Sequence, residues 1–300
     1  MGSIFSPGKL LLTSEYFVLD GALALAVPTK PGQEFFFEET ENGKSEIIWE
    51  ARHQDEPWLA ARIDYDQWKV LETNNKEASA FILKVLRIVR SRSRKKLQRS
   101  TSYHLQTNLQ FPPDFGLGSS STLMNNLAQW AEIDPYGLNE ACLGGSGYDI
   151  AVAKEKSAVL YQNKPVRQIT SVNFKPGFQD ELVFIHLNRK QDSREGISLY
   201  HSREKSDRLI LKFSQITKKV VGATTLEEFN ELMKEHERLV SAFLGLKTVK
   251  EQYFSDYGGL VKSLGAWGGD FVMASKFGDY KTYFSERNFN RIFEWNELVL

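Results

Sequence analysis

The sequence predicts an α/β protein of the α+β kind in two parts, and three observations carry that prediction. Short alternating or apolar runs fill the first half, a strand-like run followed by helical patterns fills the second, and a polar stretch with proline and glycine separates them. In chain order, KLLLTSEY (9–16), QEFFFEE (33–39), SEIIWEA (45–51) and TSYHLQTNL (101–109) read as strands. Between the last two, ASAFILKVLRIVRSRSR (78–94) spaces its apolar residues three and four apart, which gathers them on one helix face. A further helix is expected from about Ser119. The segment PVRQITSVNFKPG (165–177) marks a soft boundary, giving expected parts over residues 1–165 and 166–300. Beyond it, ELVFIHL (181–187) and DFVMASKF (270–277) read as strands on either side of LEEFNELMKEHERLVSAFLG (226–245), a helix whose Thr225 and Glu228 are spaced as a capping box.

A chain of 300 residues is long enough to bury a sizeable core, and its apolar and charged fractions are those of a globular protein. Lys plus Arg (38) balances Asp plus Glu (38), which removes the broad attraction that a nucleic-acid or membrane-surface protein shows, so a small-molecule partner is the expectation. No apolar stretch is long enough to cross a bilayer, and MGSIFSPGKLLLTSEY lacks a basic segment followed by an apolar one, so a cytoplasmic location is expected. The single cysteine, Cys142, reads as a small packed residue, and the five histidines show no paired metal spacing. The basic run RIVRSRSRKKLQR (87–99) has no interleaved aromatics and reads as the wet end of a helix and its following turn.

One stretch stands apart: FPPDFGLGSSSTLMNNLAQW (111–130). If a helix starts near Ser119, the loop Gly116–Ser121 presents outward-facing amides with almost no side chain over them, which suits a phosphate. A serine cluster is equally at home as a structural N-cap, and the run alone does not separate the two readings. It is not a Walker loop, because Gly8-Lys9 is followed by Leu10 instead of Ser or Thr.

Three other segments bear on it. SPGKLLLTSEYFVLDG (6–21), the Pro113–Ser120 segment with its Gly-Leu-Gly-Ser-Ser core, GGSGYDIAVAKE (144–155) and KSLGAWGGDF (262–271), in this order, resemble the motifs of the GHMP kinase superfamily, and the Gly-Tyr-Asp form is similar to phosphomevalonate kinases. The resemblance implies a ribosomal-S5-domain-2-like first half and a ferredoxin-like second half, with ATP and substrate between them. It implies ATP on Gly116, Leu117, Gly118, Ser119, Ser120 and Ser121, and Mg²⁺ on Ser120. It implies Asp149 as base or charge partner for a substrate hydroxyl, with Lys9 close by as the second catalytic residue, since an ammonium beside the carboxylate keeps it ionised and favours the developing alkoxide. Substrate contacts are implied at Glu15, Ser146, Gly147, Gly265 and Ala266. Lys190, Ser193 and Arg194, in the loop after ELVFIHL, offer polar and cationic groups that suit a phosphorylated or carboxylated alcohol; a solvated loop is the competing reading. Only 28 positions separate Ser121 from Asp149, so the helix that presents the family's magnesium-binding glutamate is expected to be short or missing, with Glu140 the nearest substitute.

The expected activity is therefore ATP-dependent phosphorylation of a small metabolite, phosphomevalonate first and mevalonate second, and the resemblance is compatible with a homodimer. Ser14 stands where the family has glycine, and Trp267 and Asp270 stand in a segment usually made of small residues. These departures motivate a rival reading, a catalytically silent nucleotide- or metabolite-binding protein.

Overall fold

A computed structural model describes the chain except for residues 189–192, 266 and 268, with backbone alone for 193–195. In the first half lie β1 (Gly2–Leu11), β2 (Ala24–Glu41), β3 (Glu46–His53), β4 (Glu56–Asp64), β5 (Lys69–Thr73), α1 (Lys76–Arg92), β6 (Thr101–Leu109), α2 (Ser119–Ala131), α3 (Pro135–Cys142), α4 (Tyr148–Glu155), β7 (Ala158–Gln162) and β8 (Gln168–Val172). The second half holds β9 (Leu182–His186), α5 (Ser193–His201), α6 (Asp207–Gly222), α7 (Leu226–Leu244), α8 (Val249–Tyr253), β10 (Val261–Leu264), β11 (Phe271–Ser275), α9 (Tyr280–Ser285), β12 (Ile292–Glu294) and α10 (Trp295–Leu298). The fold is mixed α/β, as the sequence predicts.

Two compact units emerge. The first comprises Met1–Gly8, Pro31–Pro113 and Gly118–Lys154; the second comprises Lys9–Lys30, Asp114–Leu117 and Glu155–Leu300. Both β1 and β2 run on from one unit into the other.

In the first unit β3 is antiparallel to β4 and parallel to β6, β4 is antiparallel to β5, and residues Gln33–Glu41 of β2 are antiparallel to β6. Strict alternation sets the buried face: Ile47, Trp49 and Ala51 of β3 and Tyr103, Leu105 and Leu109 of β6 point into the core, where Phe35 meets Trp130 of α2 edge-on at 5.9 Å. Helix α1 starts where Asn75 accepts the Ala78 N–H, and it buries Ile82, Val85, Leu86 and Val89 at helical spacing. The basic run closes α1 and turns back, with Lys95 paired to Glu132 and Lys96 to Glu39.

In the second unit residues Ala24–Ala26 of β2 pair with β7, β7 pairs with β8, and a separate antiparallel sheet runs β10-β11-β9-β12. Val183, Ile185, Val272, Phe254 and Phe284 fill one core; Phe17, Tyr200, Phe213, Val240 and Trp267 fill another. Helix α7 follows the spacing read from sequence, and Gly245 ends it in the left-handed region at φ 65°. Its cap differs in one detail: Thr225 accepts the Glu228 N–H, but Glu228 returns its carboxylate to the Thr224 N–H instead of Thr225's own. Thr225→Ala is expected to lower stability by about 1 kcal/mol, read as a reduced urea midpoint with an unchanged slope.

Candidate active site

In the first unit the site is built around the start of α2. Gly118 is its N-cap, at φ 89° and ψ 43°, and no side chain caps the helix. Its chain direction there requires the left-handed region, which glycine enters without the strain a Cβ would bring. The serines are not the cap: Ser121 Oγ and the Thr122 amide both bond to the Gly118 carbonyl, while Ser119 is half-buried and Ser120 exposed. The amides that open α2 are thus left without a capping side chain, as an anion-binding terminus needs.

A buried polar seam fixes this helix. Asn126 accepts from Ser6 Oγ (2.6 Å) and donates to the Gln33 carbonyl (3.0 Å); Asn125 donates to Ser6 Oγ (2.8 Å); Thr122 Oγ1 donates to Gln33 Oε1 (2.9 Å). Buried polar groups with partners in such a chain over-determine the register of α2 on β1 and β2.

Beside Ser119 and Ser120 opens a pocket of about 550 Å³, walled by Trp49 and His53 of β3, Trp58 of β4, and Asn75, Phe81 and Ile82 around α1. His53 and Trp58 stack at 4.6 Å with 19° between their planes. Burial lowers the His53 pKa, which favours the neutral ring, so the pair offers a flat, uncharged aromatic face. A cavity of this size with an aromatic wall has room for a planar heteroaromatic ligand.

Asp149 lies half-buried in the first turn of α4, where its Oδ1 accepts the Ile150 N–H at 3.0 Å. Gly147, buried, accepts the Ala151 N–H through its carbonyl, and Ser146 precedes it half-buried. Glu140 is exposed on α3. Cys142 ends α3 half-buried, and burial raises its thiol pKa, in keeping with a packed residue.

In the second unit Lys9 sits on the first residues of the glycine loop: its Nζ donates to the Gly116 carbonyl at 2.7 Å and its amide to the Leu117 carbonyl at 2.9 Å. Gly116, at φ 66°, is packed so closely that a Cβ there would lie 2.2 Å from Asp270 Oδ2. The small residues of the loop therefore have two causes, exposed amides after Gly118 and close packing at Gly116.

Glu15 is 1% exposed, with Oε1 2.5 Å from Nζ of the fully buried Lys262, which also donates to the Ser263 carbonyl at 2.8 Å. Burial raises the Glu15 pKa and Lys262 opposes the rise. Glu237 accepts from the Ser263 amide (3.1 Å) and hydroxyl (2.9 Å), and burial pushes its carboxyl up to about 7. His236, also buried, is held neutral by burial and by Lys262, and its Nε2 accepts the Ser14 N–H at 2.7 Å. The 3.3 Å approach of Glu15 Oε2 to that nitrogen is therefore not an ion pair. Sequence reasoning assigned no role to His236, Glu237 or Lys262. Gly265 lies half-buried at φ 71° after β10; Ala266 and Lys190 lie outside the described residues, and Ser193 and Arg194 open α5.

The residues present fit Mg·ATP by their chemistry. Ser120 presents an exposed hydroxyl beside uncapped amides, an oxygen donor of the kind a hard cation takes next to phosphate oxygens. No helix among the described residues is long and apolar enough to cross a membrane.

No protein-family profile and no curated protein matches the chain. Solved structures do. A mevalonate kinase from Methanococcus jannaschii superposes with a TM-score of 0.71 at 17% identity, covering 97% of this chain and 96% of that one. A Streptococcus pneumoniae phosphomevalonate kinase in complex with phosphomevalonate and AMPPNP gives 0.68 at 17%, covering 100% and 98%. A Lactococcus lactis galactokinase complexed with galactose gives 0.63 at 13%, covering 95% and 87%. These neighbours are GHMP-family members, and the chain has their fold.

Proposed function

We propose that this chain of GHMP-kinase fold is an ATP-dependent phosphotransferase acting on the hydroxyl of a small metabolite, with phosphomevalonate the first acceptor to test. The observation that carries the reading is the aromatic pocket of about 550 Å³ beside Ser119 and Ser120, at a helix start with no side-chain cap. A nucleotide base against His53 and Trp58 leaves its polyphosphate at the α2 amides. The Gly-Tyr-Asp segment and the bound phosphomevalonate of one structural neighbour favour that acceptor; the mevalonate kinase neighbours make mevalonate the second.

In this reading Asp149 takes the proton of the acceptor hydroxyl. The bond from the acceptor oxygen to the γ-phosphorus forms as the bond from that phosphorus to the β,γ-bridging oxygen breaks, and the bridging oxygen leaves with the electron pair as ADP. The α2 amides stabilise charge on the phosphate oxygens, and Lys9 holds the Gly116 carbonyl so that the loop keeps its shape. Mg²⁺, held at Ser120, with Glu140 the acidic candidate, would supply charge neutralisation. No covalent intermediate with the protein is required.

A coupled ADP-release assay with Mg·ATP against phosphomevalonate, mevalonate, galactose and homoserine tests the proposal. Trp58→Ala is expected to raise the KM for ATP about tenfold, the loss of one stacking contact, with the acceptor KM unchanged. Intact ATP binding without turnover on any alcohol would instead support the silent binding protein.

A further inference from the structure

The turn after β1 holds two non-glycine residues at positive φ, Ser14 at 64° and Tyr16 at 63°. At Tyr16 ψ is −46° and the Phe17 N–H donates to the Glu15 carbonyl at 2.8 Å, which makes a γ-turn of the rare, strained sense. Such a conformation persists only where its surroundings over-determine it. Here the surroundings are specific. His236 takes the Ser14 N–H, Lys262 takes the Glu15 carboxylate, and Tyr16 Oη accepts the backbone N–H of Trp267 at 2.9 Å. Tyr200 stacks on the Tyr16 ring at 5.9 Å, and Gly196 of α5 comes so near that a Cβ would lie 2.2 Å from the Tyr16 hydroxyl oxygen.

Two of these contacts fall on one stretch of chain. Lys262 begins it and Trp267 lies within it, and it ends at Asp270, whose carboxylate abuts Gly116 of the glycine loop. The strained turn is thus tied at Lys262 and at Trp267, and Asp270, a few positions on, packs on the loop Lys9 holds. Glu15 and Tyr16 are 1% and 7% exposed, so neither side chain is presented to a dissolved substrate.

We propose that Glu15 and Tyr16 are positioning residues, which hold Lys262 and Trp267, and through them Asp270 against Gly116, in the arrangement that phosphoryl transfer requires, and which do not touch the substrate. This rests on the kinase reading for its catalytic consequence. Its structural half stands alone: the Tyr16 hydroxyl latches the Trp267 amide.

The test uses Tyr16→Phe, which keeps the ring and removes the latch, and Glu15→Gln, which keeps an acceptor but removes the charge. Both are assayed well below their unfolding midpoints, so that folded fractions match. In Tyr16→Phe the Trp267 amide is expected to exchange with solvent about tenfold faster, the worth of one hydrogen bond, and kcat to fall by about the same factor with both KM values unchanged. Glu15→Gln is expected to show the same kcat-only loss. An unchanged Trp267 exchange rate, or faster exchange with unchanged kcat, overturns the proposal; so does a rise in acceptor KM at constant kcat, which would mark a direct contact. If the natural chain turns over no alcohol, the kinase reading fails, and the exchange rate still decides the latch.

Discussion

Asp149→Asn is expected to lower kcat for phosphoryl transfer by roughly 10²–10⁴-fold while leaving the KM for ATP unchanged. The substitution is nearly isosteric, and its amide oxygen can still accept the Ile150 N–H that Asp149 accepts at 3.0 Å, so the first turn of α4 is preserved. What it loses is the capacity to take a proton. The pocket proposed for the nucleotide is lined by β3, β4, α1 and the start of α2, none of which the substitution alters, so ATP affinity serves as the internal control. Single-turnover measurement with excess enzyme would separate the chemical step from product release. An unchanged single-turnover rate would remove Asp149 from the reaction.

Glu237→Gln is expected to stabilise the protein increasingly as pH rises, from little difference below pH 4.5 to about 3 kcal/mol above pH 7. The sign follows from the direction of the shift. The folded carboxyl, at about 7, holds its proton more tightly than the unfolded one at 4.5, so its contribution to stability is full below the unfolded value and is lost as pH rises through the folded one. Burial is the largest influence on the resulting anion, and its neighbours offset it only in part: Lys262, shared with Glu15, and the Ser263 hydrogen bonds favour the charge, while Glu15 opposes it. Glutamine can accept both Ser263 bonds without carrying the charge. His236 works in the opposite direction, because a histidine held below its ordinary value costs stability as pH falls below about 6.5. The two act in opposite directions on the natural chain's own pH profile, and the difference between the two chains isolates Glu237. Urea midpoints from about pH 4.5 to about pH 8 read that difference; a constant difference would show that the carboxylate ionises in place without penalty.

Local patterns in the sequence carried over into the structure, and partnerships across the chain did not. The start of α2 at Ser119 was readable because Gly118 and the apolar spacing after it act within one turn, and β6 was readable from its alternation. The seam joining Ser6 to Asn125 and Asn126 was not, since its partners are 119 and 120 positions apart and two asparagines on a helix read as solvated. Two buried residues left visible traces. Glu237 falls inside the stripe Phe229, Met233, Val240 and Leu244, where a carboxylate is out of place. Trp49, Ala51 and His53 alternate along one strand face, a hint of the aromatic wall that the run SEIIWEA did not by itself convey.

The Glu15–Lys262 contact carries a consequence for how such chains diverge. The two residues stand 247 positions apart, and each is the other's answer to a charge withdrawn from water. Breaking such a buried pair from one side strands an ion, at a cost of about 3–5 kcal/mol, whereas exchanging both for apolar residues of matching volume is close to neutral. Drift at either position is thus locked to the other, and lineages are expected to keep both residues or to have replaced both together.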